Sequence, residues 1–140
     1  MTGAGPVKPL GAPEMASGIT LDTGALIGIE RGARRMQALL DEAWAVGITF
    51  SVPSEVLAQA WRGTPRQARL ARFLRLPNVA VVPLDDGGAR AAGVLCGRSG
   101  VNDVVDASVV VCAKLAGDTV VTTDPDDLRR LDPELRIIAI

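Results

Sequence analysis

The chain has 140 residues, 48% of them apolar and 22% charged, with a formal net charge of −1 and no histidine. This length predicts one domain, and no apolar run approaches the roughly 18 residues of a membrane-spanning helix. The lack of histidine excludes Ser-His-Asp and Cys-His catalysis, and two cysteines outside a CxxC pattern exclude a four-thiolate zinc site. Without a secretory signal pattern, we expect a cytoplasmic protein whose chemistry depends on carboxylates, hydroxyls and arginines.

Residues 1–18 are rich in Gly, Pro and Ala, so we expect a disordered leader before a domain over 19–140. Within that domain, short apolar runs alternate with stretches of helical periodicity. The apolar runs predict strands over 19–21, 48–52, 79–82, 119–122 and 136–140. The periodic stretches predict helices over 24–30, 34–46, 53–61, 64–76, 86–97 and 104–116, and a short one that follows the turn at 124–127 and ends near 131. This alternation is typical of an α/β fold with a parallel sheet.

Local signals place several helix ends and two core aromatic residues. Gly47 and Gly117 are expected to stop helices, and Thr64 followed by Pro65 is expected to open one with a threonine cap. Asp103 is expected to cap the helix that starts at residue 104. Trp44 and Phe73 stand at apolar positions of their helices and are expected in the core.

Acidic residues follow three of the predicted strands. Asp22 comes directly after the first strand, Glu55 lies in the first turn after the second, and Asp124 follows the fourth by two residues. Asp103 and Asp106 are three residues apart at the start of a helix, so they share one face. Because ligands of open parallel sheets bind beyond the carboxyl ends of the strands, these acids are candidates for one common site.

Each acid also has a structural explanation as a helix cap, a turn residue or a favourable charge at a helix N-terminus. Asp106 is harder to explain that way, because its neighbours from Val104 to Ala113 are otherwise suited to complete burial. Clustered carboxylates repel one another, and a divalent cation relieves that repulsion. A site made only of oxygen ligands suits Mg²⁺ or Mn²⁺. Thr122 and Thr123 either add a hydroxyl to the site or simply suit the strand.

Four motifs, in order and spacing, resemble those of PIN-domain ribonucleases, whose short bacterial form is the VapC-type toxin of toxin–antitoxin pairs. The resemblance covers essentially 19–140, and the motifs are Leu21-Asp22-Thr23, Pro53-Ser54-Glu55-Val56, Asp103-Val104-Val105-Asp106-Ala107 and Thr122-Thr123-Asp124-Pro125-Asp126-Asp127-Leu128. It implies a three-layer PIN-like domain with a central parallel sheet. It also implies a Mg²⁺- or Mn²⁺-dependent endoribonuclease that forms a homodimer and is bound in its active-site groove by an antitoxin on a separate chain.

The same resemblance assigns roles by position. Asp22, Glu55, Asp106 and Asp124 match the family's four acids, and Asp103 is a fifth candidate ligand. Asp127 competes with Asp124 for the last role. The metal ligands implied are therefore Asp22, Asp103, Asp106, Asp124 and Asp127, with Thr23 and Thr122 as supporting hydroxyls.

An RNA substrate requires local cations, because the net charge supplies no excess. The stretch 62–75 contains five arginines and no acid, at steps of four, three, three and three residues. These arginines, of which Arg62, Arg66, Arg69 and Arg72 are the candidate RNA-binding set, are expected to contact RNA or the antitoxin. The alternative is a solvated helix face or a dimer edge. Trp61 remains open between the core, a dimer contact and an antitoxin contact.

Two other function classes compete with the nuclease. A PIN-like fold could serve only as a binding module for an antitoxin or RNA, although such a scaffold has no need of a repulsive acid cluster. A phospho-acceptor signalling domain is also α/β, but its pattern needs adjacent acids after the first strand and a lysine after a late one. Here Thr23 and Gly24 follow Asp22, and the only lysines are Lys8 and Lys114, so we set that class aside.

Overall fold

The computed structural model describes residues 18–140, and the predicted leader lies outside them except for Gly18. The described residues form five strands and seven α-helices. The strands are β1 (Ile19–Leu21), β2 (Phe50–Pro53), β3 (Val79–Val82), β4 (Thr119–Thr122) and β5 (Ile137–Ala139). The helices are α1 (Thr23–Arg31), α2 (Arg34–Ala45), α3 (Ser54–Ala60), α4 (Ala68–Leu74), α5 (Asp86–Ser99), α6 (Val104–Ala116) and α7 (Pro125–Leu131).

The strands form one parallel sheet in the order β3-β2-β1-β4-β5, which confirms the predicted fold class. β1 is the central strand, and Ile19 pairs with Phe50 on one side and with Thr119 on the other. The chain builds outward from β1 through β2 to β3, then returns to place β4 on the opposite side of β1. The strand order therefore reverses between β1 and β4, and such a reversal opens a crevice at the carboxyl ends of the two strands.

The sheet centre is buried on both faces, as the continuous apolar runs predicted. Leu21 of β1 and Val120 and Val121 of β4 have no solvent exposure, and α6 packs a wholly buried run from Ala107 to Val111 against the sheet. None of the helices formed by residues 18–140 is long and apolar enough to cross a membrane.

Of the two aromatic residues expected in the core, one lies there and one does not. Phe73 is buried and packs edge-to-face on Phe50, with ring centroids 5.4 Å apart, as predicted. The prediction for Trp44 is wrong, because its side chain is 53% exposed. The fully buried side of α2 is narrow and contains only Met36 and Ala43, so the next residue after Ala43 turns outward. Trp61 is also exposed, at 39%, which removes its core interpretation.

Helix ends agree with the sequence except around residue 64. Gly117 adopts a left-handed φ of 71° after α6, and Gly47 adopts a φ of 75° after α2, as expected of helix stops. The predicted helix over 64–76 is instead a 3-10 turn at Pro65–Gln67 followed by α4, which ends at Leu74. Thr64 occupies the N-cap position before Pro65, as predicted, but its side chain makes no capping hydrogen bond. The side chain of Gln67 organises the turn instead.

Candidate active site

Asp22 lies at the crevice between β1 and β4, where it ends β1 and caps α1. Its Oδ1 accepts a hydrogen bond of 2.8 Å from the backbone N–H of Ala25, and its Oδ2 accepts one from the hydroxyl of Thr122. Its own N–H donates to the carbonyl of Val121 at 3.3 Å. The side chain is therefore held by α1 and β4, and the residue is only 7% exposed.

Burial raises the pKa of Asp22 above its ordinary value of 3.8. The hydrogen bonds from Thr122, Ala25 and the backbone of Thr123 act in the opposite direction, and the charge of Asp124 raises the pKa further. The carboxylate thus accepts hydrogen bonds in its charged form while an acidic neighbour repels it. A nearby cation would relieve that repulsion.

Asp106 lies in the first turn of α6, and Asp103 caps that helix as predicted. The Oδ1 of Asp103 accepts a hydrogen bond of 3.0 Å from the N–H of Asp106. Asp106 is partly buried, and burial is the main cause that raises its pKa to about 6. The charges of Asp103, Asp127, Asp22 and Asp124 raise it further, in that order. The structure therefore brings acids from three separate segments, the end of β1, the start of α6 and the turn into α7, into electrostatic contact around Asp106.

The turn after β4 contributes two of these acids. Asp124 is exposed, and its N–H donates a hydrogen bond of 2.8 Å to the hydroxyl oxygen of Thr122. Thr122 therefore joins the backbone of Asp124 to the carboxylate of Asp22. Asp127 is partly buried in the first turn of α7 and forms an ion pair of 3.4 Å with Arg130. The charges of both acids raise the pKa of Asp106. The structure therefore does not decide whether Asp124 or Asp127 is the fourth acid of the family motif.

Glu55 stands in the first turn of α3, with contacts of its own. Its Oε2 accepts a hydrogen bond of 3.1 Å from the hydroxyl of Ser54. It lines a small cavity of about 110 Å³ together with Asp85, Ser108 and Cys112, and its charge raises the pKa of the Cys112 thiol, for which burial is the main cause. The charges that raise the pKa of Asp106 do not include Glu55. Glu55 is therefore the least closely associated of the four acids assigned to the site.

The donor set suits a hard divalent cation. The four acids around Asp106 offer only carboxylate oxygens, which are the ligands that Mg²⁺ and Mn²⁺ prefer, and their charges, which raise the pKa of Asp106, favour a positive charge between them. Among residues 18–140, no three His, Cys, Asp or Glu side chains are arranged to enclose a metal ion as they stand. The residues fit the chemistry of such an ion through donor type and charge.

The predicted arginine series divides between two surfaces. Arg62 and Arg66 line a cleft of about 680 Å³ beside α1, together with Arg31. Arg69 and Arg72 line a different depression of about 420 Å³, together with the exposed Trp44. The division arises because Arg62 precedes the 3-10 turn whereas Arg69 and Arg72 belong to α4. The first cleft also includes Gln59, which accepts a hydrogen bond of 2.6 Å from Thr23, next to Asp22.

Two buried polar residues were missed by the sequence reasoning. Asp118 precedes β4 at the amino edge of the sheet, where its Oδ2 accepts a hydrogen bond of 2.9 Å from Thr20. Gln67 is 3% exposed and uses both ends of its amide in hydrogen bonds. Thr20 offered a signal for Asp118, because a hydroxyl in a strand buried on both faces needs a partner. Gln67 had no such signal.

Comparison with known proteins identifies the family to which the chain belongs. The sequence model that describes the PIN domain matches residues 19–133. The chain belongs to the PIN domain family. PIN domains are typically nucleases and usually use divalent metals. No curated protein matches the chain in sequence.

Solved structures with this PIN fold include several toxin–antitoxin complexes. The VapBC2 complex from Rickettsia felis, bound to a DNA fragment from its promoter, superposes with a TM-score of 0.66 at 19% identity, over 87% of this chain and 98% of that one. A toxin–antitoxin complex from Klebsiella pneumoniae gives 0.67 at 17% identity, over 86% and 96%. FitAcB from Neisseria gonorrhoeae gives 0.62 at 20%, over 86% and 96%. At these identities the likeness establishes the shared fold.

Proposed function

We propose that this PIN domain is a Mg²⁺- or Mn²⁺-dependent endoribonuclease and the toxin of a type II toxin–antitoxin system, acting in the cytoplasm. The observation that carries the proposal is the set of acids around Asp106 at the β1–β4 crevice, whose charges help to raise the pKa of that residue to about 6. A structural role does not require this repulsion, whereas a cation-dependent site does.

Asp22, Asp106 and Asp124 would hold the cation, with Asp103 and Asp127 beside them as further candidates and Glu55 at the edge. When bound, such an ion positions and acidifies a water molecule and neutralises charge on the phosphodiester. The protein's own part is to fix the carboxylates. Ala25 and Thr122 orient the two oxygens of Asp22, and the α6 N-terminus positions Asp106 next to Asp103.

The protonation state of Asp106 determines whether its carboxyl group is ready to bind a cation. With a pKa of about 6, part of the Asp106 population carries a proton on its carboxyl group near neutral pH. The carboxyl group of Asp106 would lose that proton when it holds a cation, because a metal ligand must be deprotonated. Asp22, held by two hydrogen bonds, supplies a carboxylate whose orientation does not depend on the cation.

The test is cleavage of a labelled pool of small RNAs by the purified full chain, with Mg²⁺ or Mn²⁺ and with EDTA. We expect discrete fragments that require the metal and disappear in Asp22→Asn. Calorimetric titration with Mn²⁺ distinguishes the alternative of a non-catalytic binding module. A folded chain that neither cleaves RNA nor gives heat with Mn²⁺ would contradict the nuclease.

We also propose an antitoxin partner, because the similar structures above are toxin–antitoxin complexes. Besides the active-site groove that the family resemblance implies for that partner, the depression of about 420 Å³ beside α2 and α4 suits an apolar segment of it, since Trp44, Leu40 and Phe73 line it. Arg69 and Arg72 at the same depression suit acidic side chains. Trp44→Ala is expected to weaken binding of the cognate antitoxin at least about 10-fold, as for a buried aromatic anchor. Equal affinity would remove this surface.

The homodimer that the family resemblance implies is also a proposal. Val94 of α5 and Leu115 of α6 are exposed beside each other at an apolar depression of about 340 Å³. Exposed apolar patches of this kind mark association surfaces. Light scattering of the full chain is expected to give a dimer mass, and Leu115→Lys is expected to reduce it to that of a monomer. A monomeric wild-type chain would contradict the proposal.

A further inference from the structure

The cleft beside α1 is linked to the acidic site through Gln59. Gln59 lines it and accepts the hydroxyl hydrogen bond of Thr23, which follows Asp22 in sequence. Its walls carry three arginines, Arg31, Arg62 and Arg66, and one acid, Glu30. None of the ion pairs formed within residues 18–140 involves these three arginines. Their charges are therefore available to an anion that enters the cleft.

A single buried side chain, Gln67, holds the loop that carries Arg62 and belongs to the 3-10 turn that carries Arg66. The Oε1 of Gln67 accepts hydrogen bonds from the N–H groups of Arg62, at 2.8 Å, and Gly63, at 3.0 Å. Its Nε2 donates to the carbonyl of Ala60 and to Oε1 of Glu30, both at 2.7 Å. The amide thus uses both acceptor sites and both donor hydrogens.

This network fixes a backbone that has no regular structure of its own. Gly63 adopts a φ of 70°, and the chain from Trp61 to Thr64 lies between the end of α3 and the 3-10 turn. The guanidinium of Arg62 donates to the carbonyls of Ala58 and Trp61, at 3.3 and 2.8 Å, which orients its charge without neutralising it. Removal of the Gln67 amide would leave two loop N–H groups without their partner.

We propose that Gln67 is a positioning residue for substrate binding, which holds Arg62 and Arg66 where they contact the phosphates of a single RNA strand in this cleft. The inference rests on the proposed function, because the strand must reach the acids at Asp22. The proposal also divides the arginines of 62–75 by function. Arg69 and Arg72 line the other depression, so we expect them to take no part in holding RNA.

The first test compares two pairs of substitutions that remove equal charge. Binding of a short fluorescein-labelled single-stranded RNA is measured by anisotropy at several salt concentrations, without divalent metal. We expect Arg62→Gln with Arg66→Gln to weaken binding at least about 10-fold and to reduce the salt slope by roughly 1.4, since each phosphate contact of a single strand contributes roughly 0.7. Arg69→Gln with Arg72→Gln is the matched control and is expected to bind as the wild type does.

The second test concerns Gln67 itself. Gln67→Leu is expected to raise KM for RNA cleavage with kcat near the wild-type value, and to weaken RNA binding in the wild-type background but not when Arg62 and Arg66 are already Gln. Equal losses in both backgrounds, or a fall in kcat alone, would overturn the positioning role. If Gln67→Leu does not fold, equal losses of RNA binding in the two arginine double variants still overturn the inference. A wild-type chain that neither binds nor cleaves RNA overturns the proposed function, and this inference with it.

Discussion

Asp22 lies at the carboxyl ends of β1 and β4, and Asp118 lies at the amino ends of the same two strands. The two aspartates have similar surroundings. Both are almost fully buried, at 7% and 5% exposure. Asp22 follows β1 and accepts a hydrogen bond from Thr122 of β4, whereas Asp118 precedes β4 and accepts one from Thr20 of β1. Burial raises the pKa of each above its ordinary value. Neither burial nor the threonine partner therefore distinguishes a structural acid from a functional one.

The difference lies in what else surrounds each carboxylate. Around Asp118, the hydroxyls of Thr20 and Ser51 and the positive charge of Arg136 all lower the pKa and so counteract burial. Around Asp22, the nearby charge is that of Asp124, which raises the pKa further. The fold thus compensates the charge at the amino edge of the sheet with its own groups. At the carboxyl edge the nearby acidic charge adds to the effect of burial instead of opposing it, and this is where we propose that a cation binds.

We expect the largest effect from Asp22→Asn, which should reduce RNA cleavage. The substitution removes a carboxylate from the acidic site but keeps a side chain that caps helices well, so α1 should remain intact. We expect cleavage to fall at least about 100-fold, as when one preorganised electrostatic group is removed from an active site. Gel assays measure the rate, and circular dichroism checks the fold. A folded variant that cleaves at the wild-type rate would exclude Asp22 from the site.

The matching change at the other edge, Asp118→Ala, should affect stability instead. It leaves the hydroxyl of Thr20 without its buried acceptor, and we expect a loss of about 1 to 3 kcal/mol in the free energy of unfolding. Urea denaturation measures it, and Asp118→Asn, which keeps an acceptor oxygen, is the control. Cleavage at a temperature where the variant is folded should stay at the wild-type rate. Loss of activity there would show that the two edges are not independent.

Sequence reasoning located the carboxyl edge because its signals are local. A strand of three apolar residues ends at Asp22, and β4 ends two residues before Asp124, so the parallel α/β pattern alone directs both toward one edge. The cap formed by Asp103 was predicted for the same reason, since it depends only on the next three residues. The reversal of strand order between β1 and β4, which brings these acids together, is a tertiary feature.

The amino edge and the Gln67 network could not be predicted in the same way. Asp118 follows the helix-stopping Gly117, where a solvated turn residue is ordinary, and its partner Thr20 is 98 positions away in sequence. Gln67 lies near the start of the predicted helix over 64–76, where a polar side chain is ordinary, and its Glu30 contact spans 37 positions. Trp44 was misplaced because periodicity marks a helix face but not how far the neighbouring helices cover it.

The pH dependence of stability sharpens the comparison further. Burial and the surrounding acids hold the pKa of Asp106 at about 6 in the folded chain, against an ordinary value of 3.8. The folded state therefore binds this proton more tightly than the unfolded state does. The resulting stabilisation is complete below about pH 4 and is lost as the pH rises through about 6, and it amounts to about 1 to 2 kcal/mol after allowance for partial exposure.

Without divalent metal, the wild-type chain should accordingly lose stability as the pH rises from about 4 through about 6, and Asp106→Asn should lose less. Asp22 and Asp118, whose pKa values are also raised, leave a residual slope of the same sign. Asp41→Asn, which removes an exposed charge of α2, is the control. Urea denaturation at several pH values measures the effect. An unchanged slope in Asp106→Asn would mean that the folded chain does not raise the pKa of Asp106.

The smallest expected effect is a difference in kcat between Thr122→Val and Thr20→Val. Thr20→Val and Thr122→Val each remove one buried hydroxyl, and each should cost about 1 kcal/mol of stability. The hydroxyl of Thr122 also accepts the N–H of Asp124, so its removal loosens two groups of the site together. We expect Thr122→Val to reduce kcat about 5-fold, which corresponds to about 1 kcal/mol, and Thr20→Val to leave it unchanged. If Thr20→Val reduced kcat as much, the threonine pairs would act through the shared strands rather than through the carboxylate that each one holds.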